Sequence, residues 1–259
     1  MKNVLITGGS SGIGLALGRE LARRGNRVAL CARRGELLEE VASELRAQGR
    51  EALAIRCDVT SSESVHEAVQ RVHSEWGRID IAVANAGVGL PTPARKFKLE
   101  DAENVFRTNV LGMVYLFDAV IPSMIERGDG QFVGIASVAG FRGLPGSSAY
   151  SASKAAMQAF LDGTRAELRS RGVKVTTVNP GFVRTPLVEK NRFPMPFLME
   201  PEEAALKIAE AIEREVREVS FPLPTALLMK LARLLPNAVY DMLSLPFAKR
   251  RIDSAKLRR

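Results

Sequence analysis

In the segment "YSASK" a tyrosine and a lysine, Tyr150 and Lys154, are separated by three small residues. Side chains four apart share one face of a helix, so the phenol and the ammonium can point together. A free phenol titrates at about 10, too high to exchange protons efficiently near neutrality. A neighbouring ammonium favours the phenolate and lowers that value. The pair reads either as a proton-transfer site or as an ordinary polar helix face. The small residues between them leave the face open to a ligand.

A second cluster, "TGGSSGIG" from Thr7 to Gly14, follows an apolar run and opens a helical pattern. Glycines there allow a tight turn and a close approach of backbone to ligand, while the free N–H groups of a helix start attract a phosphate. Gly8, Gly12 and Gly14 are spaced G-x-x-x-G-x-G, unlike the G-x-G-x-x-G of long-chain dehydrogenases. The next apolar run ends in "CARR", placing Arg33 and Arg34 where a dinucleotide's adenosine ribose would lie. An acid there suits a 2′-hydroxyl, and arginine suits a 2′-phosphate. Surface arginines opening a helix are the plainer alternative. A third run ends in "CDV", where Asp58 could accept from an adenine amino group, and a fourth ends in "ANAG", Ala84 to Gly87. Asn109, in "RTNVLG", and Ser137, in "GIASVAG", add polar positions at the same edge.

Such residues need a frame to bring them together. Short apolar runs alternate with amphipathic patterns: "NVLIT" with "IGLALGRELARRG", "RVALCA" with "ELLEEVASELRAQG", "EALAIRC" with "SESVHEAVQRVHSEWG". "IDIAVANAG" precedes a long helical pattern over 99–126, and "GQFVGIAS" another over 148–171. "VKVTTVNPG" is a sixth strand, followed by a helix over 201–217 and a short seventh strand near "EVSFP". Nearly continuous apolar strands, each followed by a helix, predict an α/β fold with a parallel sheet covered on both faces. Right-handed crossovers make it doubly wound. With no linker and no further repeat, one domain is expected over 1–259. Residues 182–200, rich in proline and large apolar side chains, read as a loop.

In order and spacing, "TGGSSGIG", "DV", "NAG", Asn109, Ser137, "YSASK" and "NPGFVRT" resemble the short-chain dehydrogenase/reductase family. The resemblance implies a Rossmann-type sheet of about seven strands and hydride transfer between a nicotinamide and a carbonyl or alcohol. It assigns Tyr150 as general acid in reduction and base in oxidation, and Ser137 as the hydrogen-bond partner of the substrate oxygen. Lys154 would hold the nicotinamide ribose, helped by the positive nicotinamide in lowering the phenol. Asn109 would fix a water for proton relay. Gly8, Ser10, Ser11, Gly12, Ile13 and Gly14 would line the phosphates and adenosine. Asp58 and Val59 would flank the adenine, and Asn85, Ala86 and Gly87 would pack along the adenosine. Pro180, Gly181, Val183 and Thr185 would touch the nicotinamide. Arg33 and Arg34 resemble members that prefer NADP(H) to NAD(H). A homo-dimer or homo-tetramer is expected by the same resemblance, built on the long helices after strands four and five. Ala155, Ala156, Ala159 and Gly163 would let helices approach closely there.

Bulk properties narrow the remaining classes. With 46% hydrophobic and 25% charged residues the chain has the balance of a globular protein with a full core. No uncharged apolar run of about 18 residues stands out, so no membrane-spanning helix is expected. "MKNVLITGG" is too short for a secretory signal, and Cys31 and Cys57 are expected to be reduced, buried thiols of a cytoplasmic protein. His66 and His73, seven apart, have no cysteine partner at ligand spacing, and no metal site is expected.

The net charge is +8, and "KRRIDSAKLRR" carries six bases against one acid. Such a tail is a solvated terminus or an attraction for anionic lipid or an acidic carrier; nucleic acid is disfavoured, since no face interleaves aromatic and basic residues. Residues 223–259 form a hydrophobic and basic extension, with Leu227, Leu228, Leu231, Leu234 and Leu235 at helical spacing and Lys230 and Arg233 between them. It reads as a helix over the substrate mouth, a subunit contact, or an interfacial helix peripheral to a membrane. Phe141, Leu144, Phe182, Leu187, Phe193, Phe197 and Leu198 favour a hydrophobic substrate. Three functions follow: an NADPH-dependent reductase of a hydrophobic, lipid-like ketone or aldehyde; a 3-oxoacyl-carrier-protein reductase; or a non-catalytic NADP-binding sensor or scaffold.

Overall fold

A computed structural model of the protein describes residues 1–189 and 194–254, with 247–254 described by backbone alone. Seven parallel strands form one sheet: β1 (Asn3–Thr7), β2 (Arg27–Ala32), β3 (Ala52–Arg56), β4 (Ile81–Ala84), β5 (Gly130–Ile135), β6 (Val173–Pro180) and β7 (Glu218–Phe221). Their order is β3-β2-β1-β4-β5-β6-β7, so the winding reverses between β1 and β4. In open sheets of this kind the crevice outside the carboxyl ends at that reversal is where ligands bind.

The helices are α1 (Gly12–Arg23), α2 (Gly35–Ala47), α3 (Ser62–Trp76), α4 (Leu99–Phe106), α5 (Gly112–Arg127), α6 (Ser148–Leu168), α7 (Pro201–Glu213), α8 (Leu223–Leu234) and α9 (Asn237–Ser254). Alternation along each strand divides the interior in two. Val4 and Ile6 face a core shared with Leu17 of α1, Leu38 of α2 and Ile208 of α7. Leu5, between them, faces the opposite core with Val69 of α3, Leu116 of α5 and Leu161 of α6. In that second layer Phe117 meets Phe132 and Phe160 edge-on, at 5.2 and 5.0 Å between centroids.

The predicted helix over 99–126 is one run from Leu99 to Arg127, broken in the middle by a π turn at Arg107–Leu111. By length and composition this run is apolar enough to cross a membrane, although its scattered charges keep it from standing out as an uncharged stretch. Its second half instead buries Met113, Leu116, Val120 and Met124 within the second core. The helix predicted over 201–217 ends at Glu213, because Glu215 takes a positive φ and turns the chain into β7. The sequence does not predict α9 as a separate helix within the 223–259 extension. Pro236 precedes the helix, and its carbonyl accepts from Val239 and Tyr240, so its missing N–H costs nothing there.

Cys31 and Cys57 are buried and unpaired, and burial raises both thiols above their usual range. His66 and His73 both lie on α3. Among the described residues no three metal-ligating side chains cluster.

Candidate active site

The edge between β1 and β4 is closed by short polar bonds. Thr7 Oγ1 donates to the Val83 carbonyl (3.3 Å) and accepts from the N–H groups of Asn85 (3.1 Å) and Ala86 (3.2 Å). Asn85 Nδ2 donates to the carbonyls of Thr7 (2.9 Å) and Gly8 (3.3 Å). These bonds fix the glycine loop against "NAG", so Asn85 is spent on the frame. Gly14 has no room for a side chain: a Cβ there would stand 2.4 Å from both Asn85 Nδ2 and the Gly8 carbonyl oxygen. Gly12, at φ +55°, has Thr185 Cγ2 at 2.8 Å from the same notional atom. The loop after β6 thus lies directly on the glycine turn.

Ser11 caps α1 in extended conformation without a side-chain cap bond, so the first-turn N–H groups beside Ile13 keep their capacity for another acceptor. Arg34 Nη2 donates to Ser10 Oγ and Ser11 Oγ, both at 3.0 Å, and brings its cation onto the loop. Arg33 is exposed beside it. Asp58 Oδ1 accepts from Thr60 N (3.0 Å) and Thr60 Oγ1 (2.9 Å). Those bonds, with a smaller contribution from Arg33, hold its carboxyl below the usual range. Val59 is buried beside Gly112. Free helix-start N–H groups, two arginines and a cradle that a Cβ would fill together fit an anionic dinucleotide.

Across the edge, Ser137 ends β5 in extended conformation. Its Oγ donates to the Pro180 carbonyl (3.3 Å) and accepts from Ala139 N (3.1 Å). Tyr150 and Lys154 lie on the first turns of α6, as their spacing predicts. Burial raises the Tyr150 phenol above its ordinary value, and a hydrogen bond with Ser137 acts the other way. Lys154 is buried; its Nζ donates to the Ile135 carbonyl (2.7 Å) and approaches Met157 Sδ (3.5 Å). Burial pulls this ammonium down to about 7. Nζ stands 5.8 Å from the Tyr150 ring centroid. In the chain alone, then, burial dominates both groups, and the expected ammonium-driven fall of the phenol does not develop. Gly87 lies between Asn109 and Lys154: a Cβ on it would be 3.2 Å from Asn109 Oδ1 and 3.6 Å from Nζ.

Asn109 is fully buried in the π turn. Its Oδ1 accepts from Val88 N (2.8 Å), and its Nδ2 donates to the Val88 carbonyl (3.0 Å) and to Ser153 Oγ (2.9 Å). Ser153 Oγ in turn donates to the Tyr150 carbonyl at 2.7 Å. Gln158, also buried, donates to the Ser137 carbonyl (2.8 Å) and to Asn179 Oδ1 (2.7 Å). Thr7, Ser153 and Gln158 are absent from the sequence-derived site. Small polar residues give no periodic signal, and only folding shows what they bond.

The described substrate-side residues divide. Phe141 is buried under α8 with Val138 and Ala226, and so is core. Leu187 and the Tyr150 ring both flank Gly89, with Leu187 Cδ2 3.2 Å and Tyr150 Cδ2 3.6 Å from a notional Cβ there. Phe197 is exposed at φ +58°. Phe193 lies outside the described residues. Val183 pairs with Met199, pinning the two ends of the loop, and Gly181 N donates to the Phe221 carbonyl at 2.7 Å.

A doubly wound sheet with this edge defines a nicotinamide-dependent oxidoreductase, and comparison with known proteins gives its family. The chain matches the short chain dehydrogenase model over residues 2–195, and it belongs to that family. It is 42% identical over 240 residues to an uncharacterized oxidoreductase of Myxococcus xanthus, covering 93% of this chain and 95% of that one. It is 34% identical over 222 residues to the ketoacyl reductase HetN of a Nostoc species, covering 84% and 77%. Among solved structures, a single-residue variant of the actinorhodin polyketide ketoreductase with NADPH is similar at a TM-score of 0.80 and 30% identity, over 87% of this chain and 97% of that one.

Proposed function

We propose that the protein is an NADPH-dependent reductase of a hydrophobic ketone or aldehyde, able to run in reverse as an alcohol dehydrogenase. The observation that carries this reading is the meeting of Ser137, Tyr150 and Lys154 at the edge that also holds the glycine cradle. The nicotinamide supplies the hydride when bound. Ser137 orients the carbonyl oxygen, and Tyr150 delivers the proton to it. Lys154, whose Nζ donates to the Ile135 carbonyl, would hold the ribose hydroxyls. The Asn109 amide, to which the resemblance assigns a water, is itself bonded to Val88 and Ser153. Preference for NADP(H) rests on Arg34 at the loop hydroxyls and Arg33 beside it. Leu187 next to Tyr150 favours an apolar substrate. The two buried, unpaired thiols suit a cytoplasmic location.

The test is cofactor oxidation over a panel from small aldehydes to long-chain 3-keto compounds. Tyr150→Phe should lower turnover by about 10²–10⁴-fold while cofactor binding persists. Turnover unchanged in that variant would overturn the assignment. A second reading, reduction of 3-oxoacyl groups on a carrier protein, is favoured by the ketoacyl reductase among the relatives and by the chain's net positive charge. Rates on carrier-bound and free forms of one substrate separate the two.

A further inference from the structure

The successive helices α8 and α9 carry two unlike sets of side chains. One set is fastened to the connection between Ser137 and Tyr150. Ala226 and Met229 pack on Val138 and Phe141, and Lys230 Nζ sits 5.6 Å over the Phe141 ring while pairing with Glu218 at 3.0 Å. Arg142 Nη2 donates to Asn237 Oδ1 at 2.7 Å, and its guanidinium stacks 4.5 Å over Tyr240, whose hydroxyl donates to the Gly143 carbonyl. The other set has no such cover. Leu227, Leu228, Leu231 and Leu234 of α8 and Met242 and Leu243 of α9 are each more than half exposed. Scattered exposed leucines are ordinary on a protein surface, but six large apolar side chains exposed on two successive helices point to an interaction surface.

Charge decides what covers it. Residues 223–259 carry eight bases and two acids, six of the eight units of the chain's net positive charge. A second copy docked through this segment would bring two net-positive stretches of chain together. An anionic bilayer suits both features at once, apolar side chains that can enter the headgroup–acyl boundary and a sequence whose net charge is positive. α8, at about 18 Å, is too short to span and would lie in the surface plane.

We propose that α8 and α9, each fastened to the Ser137–Tyr150 connection, dock the protein on an anionic membrane and hold that connection at its surface. A substrate dissolved in lipid would then reach the site without crossing water, a consequence that rests on the reductase reading given above.

The test floats full-length protein with vesicles of phosphatidylcholine alone or mixed with phosphatidylglycerol, at low and high salt. Floated protein should fall about tenfold without the anionic lipid, and again at high salt. Leu228→Glu with Leu231→Glu, both at exposed positions, should also lower it about tenfold while thermal unfolding and reduction of a small water-soluble ketone stay near wild type. Reduction of a long-chain ketone carried in the vesicles should fall with the floated fraction. Wild type that stays unbound to anionic vesicles, or a double variant that floats equally, overturns docking. Self-association in sedimentation that the double variant abolishes, without flotation, assigns the face to a second copy and also overturns it. Flotation with no turnover of either ketone leaves docking standing and sinks the reductase reading; turnover of the soluble ketone without flotation does the reverse.

Discussion

Burial moves the two titrating side chains of the site in opposite directions, Tyr150 up and Lys154 down. For the lysine the consequence is a stability that depends on pH. Its folded value, about 7, lies below the 10.5 of an ordinary lysine, so the unfolded chain binds that proton more tightly. The penalty is fully present below the folded value and fades as pH rises toward the unfolded one. Wild type should therefore gain stability relative to Lys154→Met between about pH 7 and 10, by a few kcal/mol in all. Urea midpoints at stepped pH measure it; a difference that ignores pH would show the ammonium charged throughout. At the other end of the cradle, Arg34→Ala and Arg33→Ala should weaken NADPH by about ten- to a hundredfold, or roughly 1.5–3 kcal/mol, and NADH little. Fluorescence titration of both cofactors decides it, and equal losses would remove the 2′-phosphate assignment.

Elements explain why some of this was legible before folding and some was not. Strands buried on both faces announce themselves as apolar runs, and each of β1 to β6 lies within a run read from the sequence. The motif residues fall at strand ends because the sheet's carboxyl edge is where a parallel fold can bring loops together. Asn109 could be placed in a helix but not in a π turn, since one extra residue per turn leaves no mark on composition. α9 reads from the sequence only as part of the 223–259 extension. Ser153 was hidden by its plainness, yet it joins the π turn to α6 through Asn109 and the Tyr150 carbonyl. Ser153→Ala should leave Asn109 Nδ2 one acceptor short in a buried place and loosen the phenol's footing. The expected result is a kcat about tenfold lower with cofactor affinity nearly unchanged, since about 1.4 kcal/mol of misplacement is tenfold in rate. Equal losses in kcat and cofactor affinity would instead indicate general collapse of the α6 start.

At the scale of the molecule, the exposed helix faces differ in composition, and each proposed contact has its own test. Residues 223–259 carry most of the net positive charge in sequence, whereas α6 presents a face that is small rather than charged. Ala159 and Gly163 are exposed there, and a Cβ on Gly163 would meet no atom within 4 Å. For a lone chain a glycine inside a helix costs about 1 kcal/mol against alanine for no return. A glycine that lets a second copy's helix approach closely has a return, so the homo-oligomer expected from the resemblance is tested on this face. Gly163→Leu distinguishes the cases. On a free surface it should raise helix stability slightly and leave the mass unchanged. Against a packed partner helix the added side chain forces the backbones apart, and overpacking of that kind costs about 1–3 kcal/mol at each copy of the contact. We expect sedimentation of the variant to show a smaller species than wild type at equal concentration, with the monomer's own fold intact by circular dichroism. An unchanged mass together with a raised melting temperature would put the α6 face in solvent and move the oligomer contact elsewhere.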